Sequence, residues 1–325
     1  MVGTASFVKN LGNSVKKVSE SKSSSWWYNH HMRAASRAIS ERIPLVDLVL
    51  EVRDARIPIS TEYRQLRNFP SSSRNIIVLN KMDLASRSKT KEWMAYFKDL
   101  NHTTFAVNSH NKDSIKEFLN FLQGRIRELK RSTHCSNNIH TTTTVMVVGI
   151  PNVGKSAFSN SLHQIGRITA AEKVTRLRIL DDELCSQLAL TGAIADSLID
   201  QSDLANYFLS ILNLSDEYTK WEKFSTMEDD HGGSIMNDHT QDCVVQAVRG
   251  ALFQEIAAFK GNLEDEKDMV QLIEAQCTTL RKVFNVSSDS FGDDNGIFSA
   301  KLINLYRTGR LGHYTLDCLP TTCGS

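Results

Sequence analysis

Short apolar runs alternate with longer amphipathic stretches from residue 45 to about residue 165. The runs are rich in β-branched residues, and in the stretches between them apolar residues recur every three or four positions. This alternation is typical of parallel strands joined by crossover helices, so we predict an α/β fold with a doubly wound sheet. The predicted strands are 45–52, 76–80, 104–107 and 144–148, and the predicted helices are 62–68, 89–100, 114–130 and 154–164.

The pattern changes beyond about residue 181, where strand signals fade and helical spacing dominates. We therefore predict a smaller α-helical domain over 196–325 that follows an α/β domain over 26–195. Two segments rich in Asp, Gly, Ser and Asn, 222–241 and 285–296, are predicted loops. The predicted helices of this part are 184–198, 203–212, 242–259, 268–284 and 298–306.

The first 25 residues are a basic tail. Four apolar residues between Phe7 and Val18 recur at helical spacing, lysines and serines surround them, and Glu20 is the first acidic residue. This pattern is that of an organelle presequence and predicts a protein of the mitochondrial matrix. No arginine precedes Arg33, so a solvated basic tail on a cytoplasmic protein is the alternative.

Composition excludes several classes of protein. The formal net charge is +1, so any contact with nucleic acid must come from a local basic patch. The 6 cysteines include no Cys-x-x-Cys pair, which argues against a zinc site or a disulfide framework. No apolar run reaches the roughly 18 residues that cross a bilayer. The sequence therefore predicts a protein without a transmembrane segment, at most peripheral to a membrane, and leaves its oligomeric state open.

A phosphate-binding loop follows the last predicted strand of the α/β domain. Gly149-Ile-Pro-Asn-Val-Gly154-Lys155-Ser156 lies between that strand and a predicted helix, as the mechanism of such a loop requires. Backbone N–H groups and the helix N-terminus can hold phosphates, Lys155 can bridge the terminal phosphate oxygens, and the Ser156 hydroxyl can ligate magnesium. Lys155 is thus the candidate catalytic residue. Asn152, Val153, Gly154 and Ala157 complete the predicted phosphate-binding set.

A guanine-selecting motif follows an earlier strand. Asn80-Lys81-Met82-Asp83 comes directly after the apolar run 76–79, at the carboxyl end of a strand, where ligands of open α/β sheets bind. An ionised Asp83 can accept hydrogen bonds from the guanine N1–H and exocyclic amine, whereas adenine presents no such donor pair. We expect Asn80 to brace the loop and the Lys81 stem to lie over the base. GTP is therefore favoured over ATP.

The order of these motifs is unusual. Asn108-Ser109 ends another predicted strand and resembles the loop whose amides support the guanine oxygen. In ordinary GTPases the phosphate loop comes first, but here it follows both base-binding loops. The predicted GTPase domain is therefore circularly permuted.

On these motifs the chain resembles the YlqF/RbgA-like circularly permuted GTPases, and within them the plant mitochondrial DAR GTPases, named for Asp54-Ala55-Arg56. Segments 26–32 and 51–58, and the stretch 304–312, also resemble that family. The resemblance implies a GTP- and GDP-binding P-loop protein with Mg²⁺ that docks on the precursor of the large ribosomal subunit. It also implies a C-terminal helical domain that contacts ribosomal RNA. In an RNA-binding domain of this kind Lys301, Arg307, Arg310 and His313 are possible phosphate contacts, and the alternative is that they form a solvated helix face.

Asn152 has two interpretations. It matches a position that such families associate with K⁺-assisted hydrolysis, and in physical terms it is a residue compatible with a turn. Both remain open from the sequence.

Part of the hydrolytic machinery is missing from the sequence. After Ser156 a GTPase needs a switch threonine, two strands and D-x-x-G, but the spacing to Asp181 is too short for them. The matches at 229–232 and 293–296 do not follow a buried strand, so we interpret them as chance. Strand 145–148 would then be a sheet edge unless 174–180 replaces the lost strands.

Three functions remain in competition. The leading hypothesis is a GTPase of mitochondrial ribosome assembly, the second is a hydrolysis-deficient RNA-binding or ribosome-binding isoform in which nucleotide is only structural, and an ATPase is disfavoured by Asp83. The sequence leaves open whether the short spacing reflects a real isoform or an incorrect gene model.

Overall fold

The computed structural model describes ten ranges of the chain: 43–68, 74–132, 143–166, 182–194, 196, 199–224, 239–240, 242–263, 265–286 and 294–320. These residues form two compact units. The sheet unit contains residues 43–166 and 313–320, and the helical unit contains the described residues between 182 and 312. The basic tail, the segment 26–32 and the candidate strand 174–180 lie outside the described residues.

The sheet unit contains four parallel strands, β1 (Leu48–Asp54), β2 (Asn75–Asn80), β3 (Thr103–Ala106) and β4 (Val145–Val148). Their order is β3-β2-β1-β4, and every described pairing is parallel. Each strand lies within three residues of its predicted bounds at the start and two at the end. The α/β fold class is therefore confirmed, and β4 is an edge strand of the described sheet.

Strand β1 is buried along its whole length although it contains charged residues. The Arg53 guanidinium donates to both carboxylate oxygens of Glu51 at 2.9 Å, and Glu51 also accepts from the Tyr63 backbone N–H at 2.7 Å. Because each charge has a partner, the strand can occupy the interior of the sheet without an isolated buried ion.

Three helices of the sheet unit follow the predicted positions closely: α1 (Arg87–Asp99), α2 (Lys112–Ser132) and α3 (Lys155–Gly166). The predicted helix 62–68 is a 3-10 helix at Arg64–Asn68, and a further 3-10 helix lies at Ile43–Leu45. Phe118 of α2 packs against Phe105 of β3 and Phe158 of α3, with ring centroids 5.4 and 5.2 Å apart. Aromatic packing therefore joins α2 and α3 to the outer part of the sheet.

The helical unit contains α4 (Asp182–Leu190), α5 (Gln201–Asn213), α6 (Asp242–Ala258), α7 (Glu266–Val283) and α8 (Asp294–Arg307), with a 3-10 helix at Asp216–Phe224. The Asp200 and Asp265 side chains accept hydrogen bonds from backbone N–H groups in the first turns of α5 and α7, and so cap both helices.

The predicted helices of this unit differ from the structure in some places. The predicted helix 184–198 is wrong in its second half, since α4 ends at Leu190. The 3-10 helix was not predicted, and α8 begins inside the predicted loop 285–296. No described helix is long and apolar enough to cross a membrane.

The C-terminal segment 313–320 belongs to the sheet unit, although the sequence groups it with the helical domain. The Leu316 N–H donates to the Arg56 carbonyl at 2.8 Å, and the Asp317 carboxylate accepts from the N–H groups of Ile59 and Ser60 at 2.7 and 2.9 Å. These bonds attach the segment to the loop after β1. The predicted domain bounds 1–25, 26–195 and 196–325 stay predictions.

Candidate nucleotide-binding site

The candidate loops meet at one edge of the sheet. Because the strands are parallel, their carboxyl ends lie at the same edge, and the loops after β1, β2, β3 and β4 all start there. Register brings Asp54 at the end of β1 beside Asn80 at the end of β2. The permuted order of the motifs along the chain is therefore no obstacle to their assembly in space.

Asn80 connects three of the predicted motifs through one buried side chain. Its Nδ2 donates to the Val153 carbonyl in the phosphate-binding loop at 2.9 Å. Its Oδ1 accepts from the Ser109 hydroxyl at 2.6 Å and from the Ser109 N–H at 3.3 Å. The side chain is 1% exposed. Asn80 is thus hydrogen-bonded to both neighbouring loops.

Lys81 adds a second link to the phosphate-binding loop. Its backbone lies in the left-handed region, with φ of 61°, and its Nζ donates to the Asn152 carbonyl at 2.8 Å. The same ammonium lies 2.8 Å from Asp54 Oδ2. Asn152 is itself left-handed, with φ of 57°, as the turn-compatible interpretation of this residue predicts.

Asp54 and Arg56 form a buried ion pair below Lys81, a feature that sequence reasoning did not place in the site. Arg56 donates to both Asp54 oxygens at 3.0 and 2.8 Å, and both side chains are 2% exposed. Burial by itself raises the pKa of Asp54, but the Arg56 and Lys81 cations and their hydrogen bonds hold that pKa well below its ordinary value of 3.8. The signal in the sequence was Asp-x-Arg directly after a buried strand.

Two glycines allow the phosphate-binding loop to approach its neighbours. A Cβ on Gly154, at φ of 92°, would lie 2.3 Å from Asn80 Nδ2, and a Cβ on Gly149, at φ of 147°, would lie 2.4 Å from the Val52 carbonyl oxygen. Any side chain at these positions would push the loop from the sheet. Glycine is therefore required here by contact as well as by backbone conformation.

The phosphate-binding residues lie at the start of helix α3, which begins at Lys155. Val153 and Lys155 are buried, Ser156 is exposed and Ala157 is half-buried. The Lys155 Nζ donates to the Ile150 carbonyl of its own loop. A ring of backbone N–H groups at a helix N-terminus with a lysine beside it is suited to bind an anion.

Asp83 is exposed in the turn after β2. The Leu84 N–H donates to the Lys81 carbonyl at 2.9 Å, and the Met82 N–H donates to the Val107 carbonyl at 3.2 Å. The Asn108 side chain accepts from the His110 N–H at 2.9 Å. The base-binding residues thus lie on two loops that are bonded to each other.

The described part of the chain contains no group of three His, Cys, Asp or Glu side chains that could hold a metal ion. Residues 229–232 and Asp181 lie outside the described residues, and Asp294–Gly296 open helix α8 rather than follow a strand.

Arg307, a predicted phosphate contact, is hydrogen-bonded to other groups of the helical unit. Its guanidinium donates to the carbonyls of Leu190 and Ala189 at 3.0 and 2.8 Å and to both Asp196 oxygens at 2.8 Å. These bonds use the guanidinium to hold the end of α4. Lys301 lies over the Phe284 ring at 5.7 Å, Arg310 contacts Asp242 at 3.2 Å, and His313 is exposed in the sheet unit.

No protein-family model matches the chain. Mitochondrial DAR GTPase 2 of Arabidopsis thaliana is 45% identical to it over 365 aligned positions, which cover 97% of this chain and 96% of that protein. The chain belongs to the DAR-type circularly permuted GTPases. The chain is also 28% identical to ribosome biogenesis GTPase A of Bacillus cereus. That alignment covers 69% of this chain and 90% of the Bacillus protein. The GNP-bound crystal structure of YlqF from T. maritima matches with a TM-score of 0.45 at 19% identity, over 88% of this chain and 100% of that one.

Family membership confirms several expectations. This DAR GTPase has the P-loop GTPase fold and is related to ribosome biogenesis GTPases. Its Arabidopsis relative is named as a mitochondrial protein. The 365 aligned positions exceed the 325 residues of the chain. The relative therefore contains at least 40 residues without a counterpart here.

Proposed function

We propose that this DAR GTPase binds GTP and GDP in the site where its loops meet. Asn80, Lys81, Asp83 and the Asn108-Ser109 loop surround the base, and the loop 152–157 holds the phosphates. The observation that carries this proposal is the 2.9 Å hydrogen bond from Asn80 Nδ2 to the Val153 carbonyl, since it joins the base-selecting loop to the phosphate-binding loop.

Each residue has a role that follows from its chemistry. The Asp83 carboxylate accepts the two guanine donors, the Lys81 stem lies over the ring, and the buried Lys155 meets the terminal phosphates. Mg²⁺ would be held by the Ser156 hydroxyl and phosphate oxygens, the hard oxygen ligands that it prefers. Asp54 is not proposed as a magnesium ligand, because Arg56 and Lys81 already occupy its oxygens. We also propose that K⁺ binds near Asn152, the position that the family associates with K⁺-assisted hydrolysis.

The base assignment can be tested by exchanging one hydrogen-bond acceptor for a donor. Asp83→Asn turns a carboxylate into an amide, which matches xanthine because a carbonyl replaces the guanine amine. Wild-type protein should prefer GTP to XTP, and the variant should lose about 10- to 100-fold in GTP affinity and gain XTP affinity. Titration with fluorescent nucleotides in Mg²⁺ measures both. If wild-type protein fails to retain GTP or GDP at micromolar concentration, the proposal is wrong.

We further propose that the protein acts in the mitochondrial matrix, in assembly of the large ribosomal subunit. The support is its membership of a family that contains ribosome biogenesis GTPase A and a mitochondrial DAR GTPase. Depletion should cause accumulation of an incomplete large subunit in sucrose gradients of mitochondrial lysate, and the GTP-loaded protein should sediment with it. Normal large subunits after depletion would contradict this role.

The second candidate is a GTP-binding protein with little hydrolysis. It is favoured by the absence of a usable D-x-x-G motif and by the residues of the Arabidopsis relative that have no counterpart here. Without that aspartate and glycine, no residue of the motif positions water or couples to the terminal phosphate. Single-turnover phosphate release should then be close to that of Lys155→Ala, and robust release would contradict this candidate.

A further inference from the structure

Charge is distributed very unevenly along this chain of nearly neutral total charge. The sheet unit, residues 43–166 and 313–320, contains 17 Lys and Arg against 11 Asp and Glu, whereas residues 182–312 contain 10 against 22. A strongly acidic segment repels phosphate, while a basic one attracts it. The sheet unit is therefore better suited to nucleic acid than the helical unit, for which the family resemblance had implied RNA contact.

Within the sheet unit, helix α2 carries a basic stripe. We use this name for Lys112, Lys116, Arg127 and Arg131, all of which are exposed. Helical geometry of 100° per residue places these four within one sector of the helix, together with exposed Asn120 and Gln123. Asp113 is the acidic residue of that sector, and its carboxylate contacts Lys116 at 2.9 Å. The stripe extends along about 30 Å of helix.

The opposite side of α2 is already used by the fold. Ile115, Phe118, Leu119 and Leu122 are buried in the sheet unit. A helix that lies on a membrane inserts its apolar face between the lipids, but that face of α2 is in the protein core. The basic stripe offers cations and amides, with Asp113 paired to Lys116, and such groups bind phosphate and sugar oxygens rather than lipid chains.

We propose that the basic stripe of α2 is an RNA-binding surface, which contacts the phosphate backbone of ribosomal RNA. The inference rests on the proposed ribosomal function for the identity of the RNA. It assigns phosphate contact to the GTP-binding unit, and the acidic helical unit then makes no large contribution to the electrostatic part of RNA binding. Guanidinium and ammonium groups at this spacing bind phosphates with little regard to sequence, so the contact orients the protein rather than selecting a base sequence.

Salt dependence separates phosphate contacts from other causes of binding. We would measure affinity for a transcript of large-subunit ribosomal RNA by filter binding between about 50 and 400 mM KCl. The test variant is Lys112→Gln with Arg127→Gln and Arg131→Gln. The matched control removes three exposed charges of the helical unit, with Lys260→Gln, Lys267→Gln and Lys282→Gln.

In the stripe variant, the negative slope of log association constant against log salt concentration should become shallower by about 2 to 3. Binding at low salt should weaken by about 10-fold or more. The control should leave the slope within about 0.5 of wild type. Gln123→Lys adds a cation to the stripe and should make the slope steeper by about 1. Misfolding cannot produce such an increase in salt dependence.

Equal losses in the two triple variants, or an unchanged slope in the stripe variant, would overturn the proposal. So would wild-type binding to anionic phospholipid vesicles with no binding to RNA. Affinity for fluorescent GDP is measured on every variant and should not change. If wild-type protein does not bind GDP, the nucleotide-binding proposal is wrong. The salt dependence of RNA binding would still test the RNA-binding role of the basic stripe.

Discussion

At the scale of single residues, the candidate site depends on the amide of Asn80. An amide is a donor and an acceptor at once, and both functions are used, toward the Val153 carbonyl and toward Ser109. A carboxylate in its place would face the Val153 carbonyl with no proton between them. A methyl group would leave buried polar partners unsatisfied.

Asn80→Ala should lower the free energy of unfolding by about 3 kcal/mol, because the Ser109 hydroxyl and Val153 carbonyl lose their partner in a buried place. Asn80→Asp should cost about as much, since it keeps the acceptor but loses the donor. Urea denaturation of both variants measures the effect, and Asn120→Ala on the exposed face of α2 is the control. Equal stability of Asn80→Ala and that control would show that the amide does not join the loops.

Asp54 predicts a dependence of stability on pH. Its pKa is lower in the folded protein than in the unfolded chain, so its stabilisation is fully present above the ordinary pKa of 3.8 and is lost as the pH falls below that value. Asp54→Asn should cost about 3 kcal/mol at pH 7, because two cations lose a buried partner. The difference between variant and wild type should shrink below about pH 4. Denaturation at several pH values measures this, and a difference independent of pH would contradict it.

The motif residues themselves could be predicted because each stands at a fixed spacing after an apolar run, as Asn80 and Lys155 do. The contact between Asp54 and Lys81, which are 27 residues apart in the sequence, could not be predicted, because it depends on the register between β1 and β2. Sequence spacing defines what lies in each loop, while register defines which side chains of different loops meet.

At the scale of elements, Arg307 of α8 stabilises the end of α4. Helix C-termini leave carbonyls without intrahelical partners. The Arg307 guanidinium donates hydrogen bonds to the carbonyls of Ala189 and Leu190 and pairs with Asp196. Hydrogen bonding by Arg307 is the main reason that the pKa of Asp196 lies below its ordinary value. The residue is therefore structural in the helical unit.

Arg307→Lys keeps the charge but cannot place donors on two carbonyls and a carboxylate at once. We expect a loss of about 2 kcal/mol in the stability of the helical unit and faster hydrogen exchange at the end of α4. GDP affinity should be unchanged. Arg310→Lys, in a more exposed ion pair, is the matched control. If the two variants exchange at the same rate, the guanidinium does not hold α4.

Most elements could be predicted from the pattern of apolar residues alone, since α1 and α2 bury regular faces and β1 is an apolar run buried along its whole length. The end of α4 could not, because Gly192 turns the chain with φ of 79° while the apolar spacing continues into Ala193 and Ile194, which are buried outside the helix. Periodicity reports burial, and burial continues where the helix has ended. The short 3-10 helix at 216–224 has too few turns to produce a clear period.

At the scale of the whole molecule, the chain returns to the sheet unit after it has formed the helical unit. The returning segment is short, yet Leu316 is buried, Leu319 packs against the cluster that contains Ala55 and Trp93, and Asp317 holds the loop after β1. Asp54 is the last residue of β1, and Arg56 lies in this loop. The last residues of the described chain thus support the ion pair that lies below Lys81.

Asp317→Ala should therefore destabilise the sheet unit and weaken GDP binding together. The Asp317 carboxylate accepts from the Ile59 and Ser60 N–H groups and, at 2.6 Å, from the Ser60 hydroxyl. Their loss should cost about 3 kcal/mol, or about 6 to 12 °C in Tm. Asp317→Asn keeps one acceptor oxygen and should cost less, while Asp99→Ala, exposed on α1, should cost almost nothing. Calorimetry with and without GDP distinguishes the outcomes, because a variant that loses stability but binds GDP like wild type would show that the segment supports the fold without supporting the site.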